Sequence, residues 1–115
     1  MTTENKTVYD KLIRDQVPAI MDGKSVRYQM HALDEGRYRL ELFRKMQEEA
    51  GEIVPDLSRE RLVEELCDLR AVCEAICELE QISPAELGAA FLQNMTKKGG
   101  FKKRIFLEWT EGSSR

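Results

Sequence analysis

Two helical segments joined by a short connection constrain the fold of this chain more than any other feature. Residues 34–54 and 58–81 each repeat apolar side chains at the three- and four-residue spacing of an amphipathic helix. Asp34 and Ser58 stand where these helices begin, and their side-chain oxygens suit an N-cap. Because only about four residues separate the segments, we expect the two helices to be antiparallel neighbours.

Local start and stop signals predict two further helices. Asp15 is the expected N-cap of a short helix that ends at Gly23, with Pro18 in its first turn. The segment Ser83-Pro84-Ala85-Glu86 combines a capping box with proline at the first helical position. The helix that it starts is expected to end at Gly99-Gly100, because glycine commonly ends helices.

The predicted fold class is all-α, an antiparallel helical bundle of three main helices and a short N-terminal helix. Residues 26–33 and 101–109 read as extended, and a minor two-stranded β ribbon between them is an additional hypothesis. The 115 residues fit a single domain over 1–115, with flexible ends at 1–7 and 112–115. Because the central hairpin leaves an apolar face half covered, we expect a homo-oligomer, either a dimer or a tetramer.

The composition is that of a globular domain with charged helix faces, since 42% of the residues are hydrophobic and 34% are charged. The net charge of −3 argues against a nucleic-acid polymer or a membrane surface as partner, and no apolar run could span a bilayer. The three cysteines lie in one helical stretch without a CxxC motif. This pattern favours free thiols and a reducing, cytoplasmic setting.

Five carboxylates gather on the facing sides of the two main helices. Glu48, Glu49 and Glu52 fall within an arc of about 100° beside the apolar stripe of the first helix. Glu65 lies inside the apolar face of the second helix, where an unpaired charge is very costly, and Asp68 lies at the edge of that face.

The short connection predicts that these carboxylates meet. Glu49 and Glu65 are equally distant from the turn near residue 57, so we expect them at the same height across the helix pair. Repulsion among clustered carboxylates needs a cation, and oxygen-only ligation favours a hard one, Mg²⁺ first with Mn²⁺ as a substitute. Either motif taken alone has a simpler interpretation, because glutamate-rich sequences usually mark a solvated helix face.

The two acidic motifs together resemble a known signature. Glu48-Glu49-Ala50-Gly51-Glu52 followed by Glu65-Leu66-Cys67-Asp68 is similar to the EExxE…ExxD pattern of the all-α NTP pyrophosphohydrolases, the MazG-like and phosphoribosyl-ATP pyrophosphohydrolase-like proteins. Residues 9–18, YDKLIRDQVP, resemble the YNKLVRDKIP opening of one subgroup, and residues 99–107, GGFKKRIFL, resemble its GGFxKRIFL ending. The resemblance therefore extends from about residue 8 to residue 109.

The resemblance implies a function and assigns roles to the five acids. It implies an all-α core and Mg²⁺-dependent hydrolysis of a nucleoside triphosphate between its α and β phosphates, giving a nucleoside monophosphate and pyrophosphate. Glu48 becomes a metal ligand or the base that orients the attacking water. The implied metal ligands are Glu49, Glu52, Glu65 and Asp68. Members of the family are usually oligomers with sites near subunit contacts.

Two groups of basic residues are candidates for binding substrate phosphates. Lys11 and Arg14 precede the first helix, and a guanidinium fork matches phosphate oxygens. Lys98, Lys103 and Arg104 surround two glycines, and a basic segment of this kind can close over phosphates. The alternatives are structural, because Arg14 can pair with a nearby carboxylate and lysines at a helix end suit the helix dipole.

Three functions stay open from the sequence. The first is house-cleaning of non-standard nucleotides by pyrophosphohydrolysis, and the second is phosphoribosyl-ATP pyrophosphohydrolysis. The third is a non-catalytic helical module that binds nucleotide or a partner without hydrolysing it. Ala71 keeps the third hypothesis open, because the subgroup often has a further acid three residues after the aspartate of ExxD.

Overall fold

The fold is all-α, as predicted. The structure is a computed structural model, and it describes residues 6–112. The helices of this described range are α1 (Val17–Gly23), α2 (Glu35–Gly51), α3 (Arg59–Leu79) and α4 (Pro84–Lys98). Of the ends predicted to be flexible, residues 1–5 and 113–115 lie outside the described range.

The hypothesis of a β ribbon is wrong, because no strand occurs within residues 6–112. Residues 26–33 form no strand, and the second candidate segment, 101–109, begins with a turn instead. In that turn the backbone N–H of Arg104 donates to the carbonyl of Phe101 at 3.0 Å. Arg104 has a φ of 57°, in the left-handed region, which interrupts any extended run through this position.

The chain divides into two compact units, and each is described by itself. The first unit runs to Gln81 and contains α1, α2 and α3, whereas the second unit starts at Ile82 and contains α4. The single domain expected from the length stays a prediction. No helix within residues 6–112 combines the length and the apolar character that crossing a bilayer requires.

Three of the four predicted helix starts are confirmed by their caps. Asp34, Ser58 and Ser83 each have an extended backbone, and their side chains accept from the backbone N–H three residues later at 2.8, 3.2 and 3.1 Å. The prediction for α1 is wrong by one residue, since Gln16 occupies its N-cap and makes no side-chain capping bond. The backbone N–H of Val17 is already bound to the carbonyl of Arg14 at 3.0 Å, so a turn precedes the helix.

The packing of α2 against α3 is the main tertiary contact of the first unit. Arg39 near the start of α2 donates to Glu80 just after α3 at 2.6 Å, so the predicted antiparallel arrangement is confirmed. Leu42 and Val72 are the buried apolar side chains of this contact. Ala50 of α2 and Leu62 and Leu66 of α3 are exposed.

The second unit exposes most of its apolar side chains. Phe91, Leu92, Phe106 and Trp109 are all exposed, and no residue from 82 to 112 is buried. α4 ends as predicted at Gly99, whose φ of 77° is in the left-handed region that favours glycine.

We predict that Ser58→Ala lowers the free energy of unfolding by about 1 kcal/mol. The substitution removes the hydroxyl that accepts from the backbone N–H of Arg61, a group that has no partner within the helix. Urea unfolding followed by circular dichroism measures this loss. Ser58→Asn, which keeps a capping oxygen, is the matched control and should unfold like the wild type. Equal losses in both variants would contradict the capping role.

Candidate metal centre

The hairpin brings the five predicted acids together at one end. Oxygens of Glu48, Glu49 and Glu52 lie within 4.8 Å of one another, and oxygens of Glu49, Glu65 and Asp68 form a second group within the same distance. Glu48 and Glu49 lie in the last turn of α2, and Glu52 is its C-cap. Glu49 belongs to both groups and connects them. The predicted proximity is confirmed, and the role of these residues as ligands stays a prediction.

Two of these carboxylates are buried without enough partners. Glu65 is only 2% exposed and Glu49 only 8%. Each has one buried carboxylate oxygen, Oε2, that has no hydrogen-bond partner while the neighbouring acids are ionised. An ionised oxygen in this position is very costly, so either a proton or a cation must occupy the space beside it.

Burial raises the pKa of both carboxyl groups. For Glu49 the next largest cause is the negative charge of Glu52, and the ammonium group of Lys45 opposes it. For Glu65 burial is again the largest cause of the raised pKa, followed by a hydrogen bond with Glu52 and by the charge of Glu52. Two ionised carboxylates cannot donate to each other, so this hydrogen bond requires a proton between them. A metal ion can replace that proton.

Basic side chains neutralise other parts of the cluster. Arg61 donates to Oε1 of Glu65 at 2.8 Å from one turn earlier on α3. Lys45 donates to Glu48 at 2.9 Å, and its Nζ lies 3.6 Å from an oxygen of Glu49. The hydrogen bond from Lys45 lowers the pKa of Glu48, although burial partly opposes the shift, so this carboxylate is ionised at neutral pH.

A third buried acid, Glu41, was not predicted. It lies on α2 and is 5% exposed. Arg37 and Arg44 donate to the same oxygen of Glu41 at 3.0 and 2.8 Å. Arg44 and Lys45 both stand within about one turn of Glu48 in the sequence. Of these two residues, Lys45 contacts the acidic cluster, since Arg44 is bound to Glu41 instead. The spacing of four and three residues between these arginines and Glu41 is the signal that could have identified this group.

The segment before α1 brings the predicted bases Lys11 and Arg14 to the acids. Nζ of Lys11 lies 3.8 Å from Glu48, and a guanidinium nitrogen of Arg14 lies 3.3 Å from Asp68. Together with α2 and α3 this segment lines an open cleft of about 590 Å³, a size that suits a small-molecule ligand. The cleft has basic, acidic and apolar sides, and its lining includes Lys11, Arg14, Tyr38, Leu42, Lys45, Glu49, Asp68, Ala71 and Val72.

The other predicted phosphate-binding residues lie in the second unit. Lys98, Lys103 and Arg104 line a separate cleft of about 760 Å³ there, together with Gly99 and Gly100. The structure therefore divides the five predicted phosphate ligands into a pair beside the acids of the first unit and a trio around the glycines of the second.

Comparison with protein families, with curated proteins and with solved structures finds no match to this chain. The resemblance to the NTP pyrophosphohydrolases therefore stays a prediction from the sequence motifs. The donors themselves fit a hard cation, because both groups consist of carboxylates alone and two of their buried oxygens lack a partner. The cysteines are free thiols outside these groups.

The raised pKa values of Glu49 and Glu65 predict how the metal-free protein responds to pH. A carboxyl group with a raised pKa in the folded state stabilises the fold below its unfolded pKa, near 4.5, and loses that contribution as pH rises through the folded pKa. In EDTA, we therefore expect the melting temperature to fall as the pH rises from about 4.5 toward neutrality. Mg²⁺ should restore it near neutral pH.

Glu65→Gln should remove much of this fall, because an amide keeps an acceptor for Arg61, supplies a donor toward Glu52 and carries no charge. The variant should also lose the stabilisation by Mg²⁺. Thermal melts followed by circular dichroism across this pH range measure both effects. A wild-type melting temperature that rises steadily over this range in EDTA would contradict the prediction.

Proposed function

We propose that this chain is a Mg²⁺-dependent nucleoside triphosphate pyrophosphohydrolase that cleaves between the α and β phosphates. The observation that carries the proposal is the pair of buried carboxylates, Glu49 and Glu65, each with an unpartnered oxygen, beside a cleft that also presents basic side chains. The EExxE and ExxD motifs that supply these carboxylates are the ones that resemble the family. House-cleaning of non-standard nucleotides is the role that we propose for this activity.

The residues proposed to hold the metal are Glu49, Glu52, Glu65 and Asp68. When bound, Mg²⁺ neutralises charge on the phosphates and lowers the pKa of a bound water. The acids of α2 and of α3 come from rigid helices that pack against each other, which keeps their positions fixed. Arg61 holds Glu65 in place through a hydrogen bond to the oxygen opposite the free one.

Glu48 is proposed to orient the attacking water. It is half-buried and lies within 4.8 Å of Glu49 and Glu52. Lys45 lowers its pKa, so the carboxylate is ionised and can accept a hydrogen bond from water near neutral pH. The same shift makes Glu48 a weaker base, which favours orientation of the water over full removal of its proton.

Lys11 and Arg14 are proposed to bind the phosphates. Both side chains are well exposed, and their present partners are carboxylates of the cluster at 3.8 and 3.3 Å. Exposed ion pairs of this kind are weak, so an incoming polyphosphate can compete for the same cations. In the second unit Lys98, Lys103 and Arg104 are proposed to bind phosphate oxygens as well.

A homo-oligomer and a cytoplasmic setting are also part of the proposal. Leu62 and Leu66 of α3 are exposed in the single chain, as are Phe91 and Leu92 of α4. Amphipathic helices normally bury such faces against other helices, which supports assembly with further copies.

The decisive test is release of pyrophosphate from a panel of NTPs, dNTPs and phosphoribosyl-ATP with Mg²⁺. We expect turnover by the wild type and at least about a hundredfold loss in Glu65→Gln, since that carboxylate is proposed to bind the metal. Glu64→Gln is the matched control, because Glu64 is the adjacent acid and is exposed. It should keep nearly full activity.

Each outcome of this assay has a definite meaning. No turnover with any substrate of the panel would overturn the enzyme proposal in favour of a non-catalytic binding module. Preference for phosphoribosyl-ATP would replace house-cleaning by the phosphoribosyl-ATP reaction. Full activity in Glu65→Gln would show that this carboxylate has no part in the chemistry.

Arg14→Gln should raise KM for the triphosphate by about tenfold with a smaller change in kcat, because it removes one cation that binds the ground state. Steady-state kinetics with the preferred nucleotide measure this change. Arg59→Gln, which removes an exposed arginine at the start of α3 away from the cleft lining, is the control and should leave KM unchanged. An unchanged KM in Arg14→Gln would exclude a phosphate contact by this residue.

A further inference from the structure

We infer that, without substrate, the centre binds one divalent cation at three of the four proposed ligands, Glu49, Glu65 and Asp68, and that the ammonium group of Lys45 takes the place of a second cation in the group that contains Glu52. This inference rests on the cation binding of the proposed function, and it does not depend on hydrolysis.

Lys45 is built into the first group of acids. Its side chain is only 12% exposed, which is low for a lysine, and its Nζ lies 2.9 Å from Glu48 and 3.6 Å from Glu49. It reaches both acids from one turn earlier on the same helix, so the contact forms with α2 itself. Lys11 adds a second positive charge 3.8 Å from Glu48. A cation at this group would have to approach two ammonium groups.

The basic contacts of the second group leave two buried oxygens free. Lys45 and Arg61 contact Oε1 of Glu49 and Oε1 of Glu65, whereas Oε2 of each acid has no partner. Arg14 lies near Asp68, but its side chain is exposed and can leave. Two buried, unpartnered oxygens on facing helices therefore mark the position where one cation fits best.

The formal charges of the whole centre also favour one divalent cation. Four basic side chains, those of Lys11, Arg14, Lys45 and Arg61, contact four of the five carboxylates, and the nine groups together have a formal charge of −1. Arg61 also contacts the exposed Glu64, which lies outside the centre. One divalent cation changes the formal charge of the centre to +1, whereas a second would give +3 in a partly buried site. Ala71 contributes only a methyl group to the adjacent cleft, so it adds no further carboxylate.

The experiment counts Mn²⁺ on the full chain without nucleotide, by electron paramagnetic resonance of free Mn²⁺ and by calorimetric titration. We expect one Mn²⁺ per chain in the wild type. Lys45→Met keeps the length of the side chain but removes its charge, and it should strengthen a second Mn²⁺ site by about tenfold or more, so that two are counted. Lys45→Arg keeps the charge and should stay at one, as should Lys24→Met, which removes an exposed lysine after α1.

The possible counts separate this inference from the proposed function. Two Mn²⁺ ions bound with comparable affinity by the wild type would overturn the inference. A count of one Mn²⁺ in a folded Lys45→Met protein would overturn it as well. Neither result would contradict the proposed metal-dependent enzyme. A wild type that binds no Mn²⁺ would overturn both. One bound Mn²⁺ without pyrophosphate release would overturn the enzyme proposal alone. If Lys45→Met does not fold by circular dichroism, Lys45→Gln takes its place, and the wild-type count decides the number of sites by itself.

Discussion

The burial of Glu65 against α2 is the constraint on which the rest of the first unit depends. The contact between α2 and α3 places this carboxylate at 2% exposure beside Glu49 and Glu52 of the other helix. Such a contact forms only if the negative charge is neutralised, by a proton, by basic side chains or by a metal ion. The raised pKa values of Glu49 and Glu65 express this cost in the metal-free state.

Glu41 shows what a purely structural buried acid looks like in the same helix. It is about as buried as Glu49 and Glu65, yet two arginines from its own helix donate to it. Glu49 and Glu65 each have a contact with one basic residue, and each has a buried oxygen without a partner. α2 therefore contains one completed cluster of ion pairs, around Glu41, and contributes Glu49 to a site that is incomplete. Glu41 has hydrogen-bond partners for its charge, whereas Glu49 and Glu65 each keep a buried oxygen without one. This difference, more than the number of acids, supports a ligand beside Glu49 and Glu65.

The sequence predicted much of this arrangement because its signals are local. Caps at Asp34, Ser58 and Ser83 specify where helices begin, and a short loop between α2 and α3 leaves the antiparallel hairpin as the natural arrangement. The errors arose where local signals were weak or misleading. Asp15 has good capping chemistry, but a turn ahead of α1 moves the cap to Gln16. A rough alternation suggested a strand at 26–33, and residues 101–109 looked extended, yet a strand also needs a partner, and neither segment has one in the described chain.

By itself, the sequence determined that the five acids lie on facing sides of one hairpin, because helical periodicity and a short loop set the positions of Glu49 and Glu65. Only the tertiary structure decided which charges are satisfied. Long basic side chains can reach several partners, so local spacing offered both Glu41 and Glu48 to Arg44 without deciding between them, and the structure pairs Arg44 with Glu41 and Lys45 with Glu48. Spacing also could not show that Lys11 and Arg14 reach the acids from a distant part of the chain. The contacts of Lys11 and Arg14 depend on the path of the backbone before α1, which no local pattern encodes.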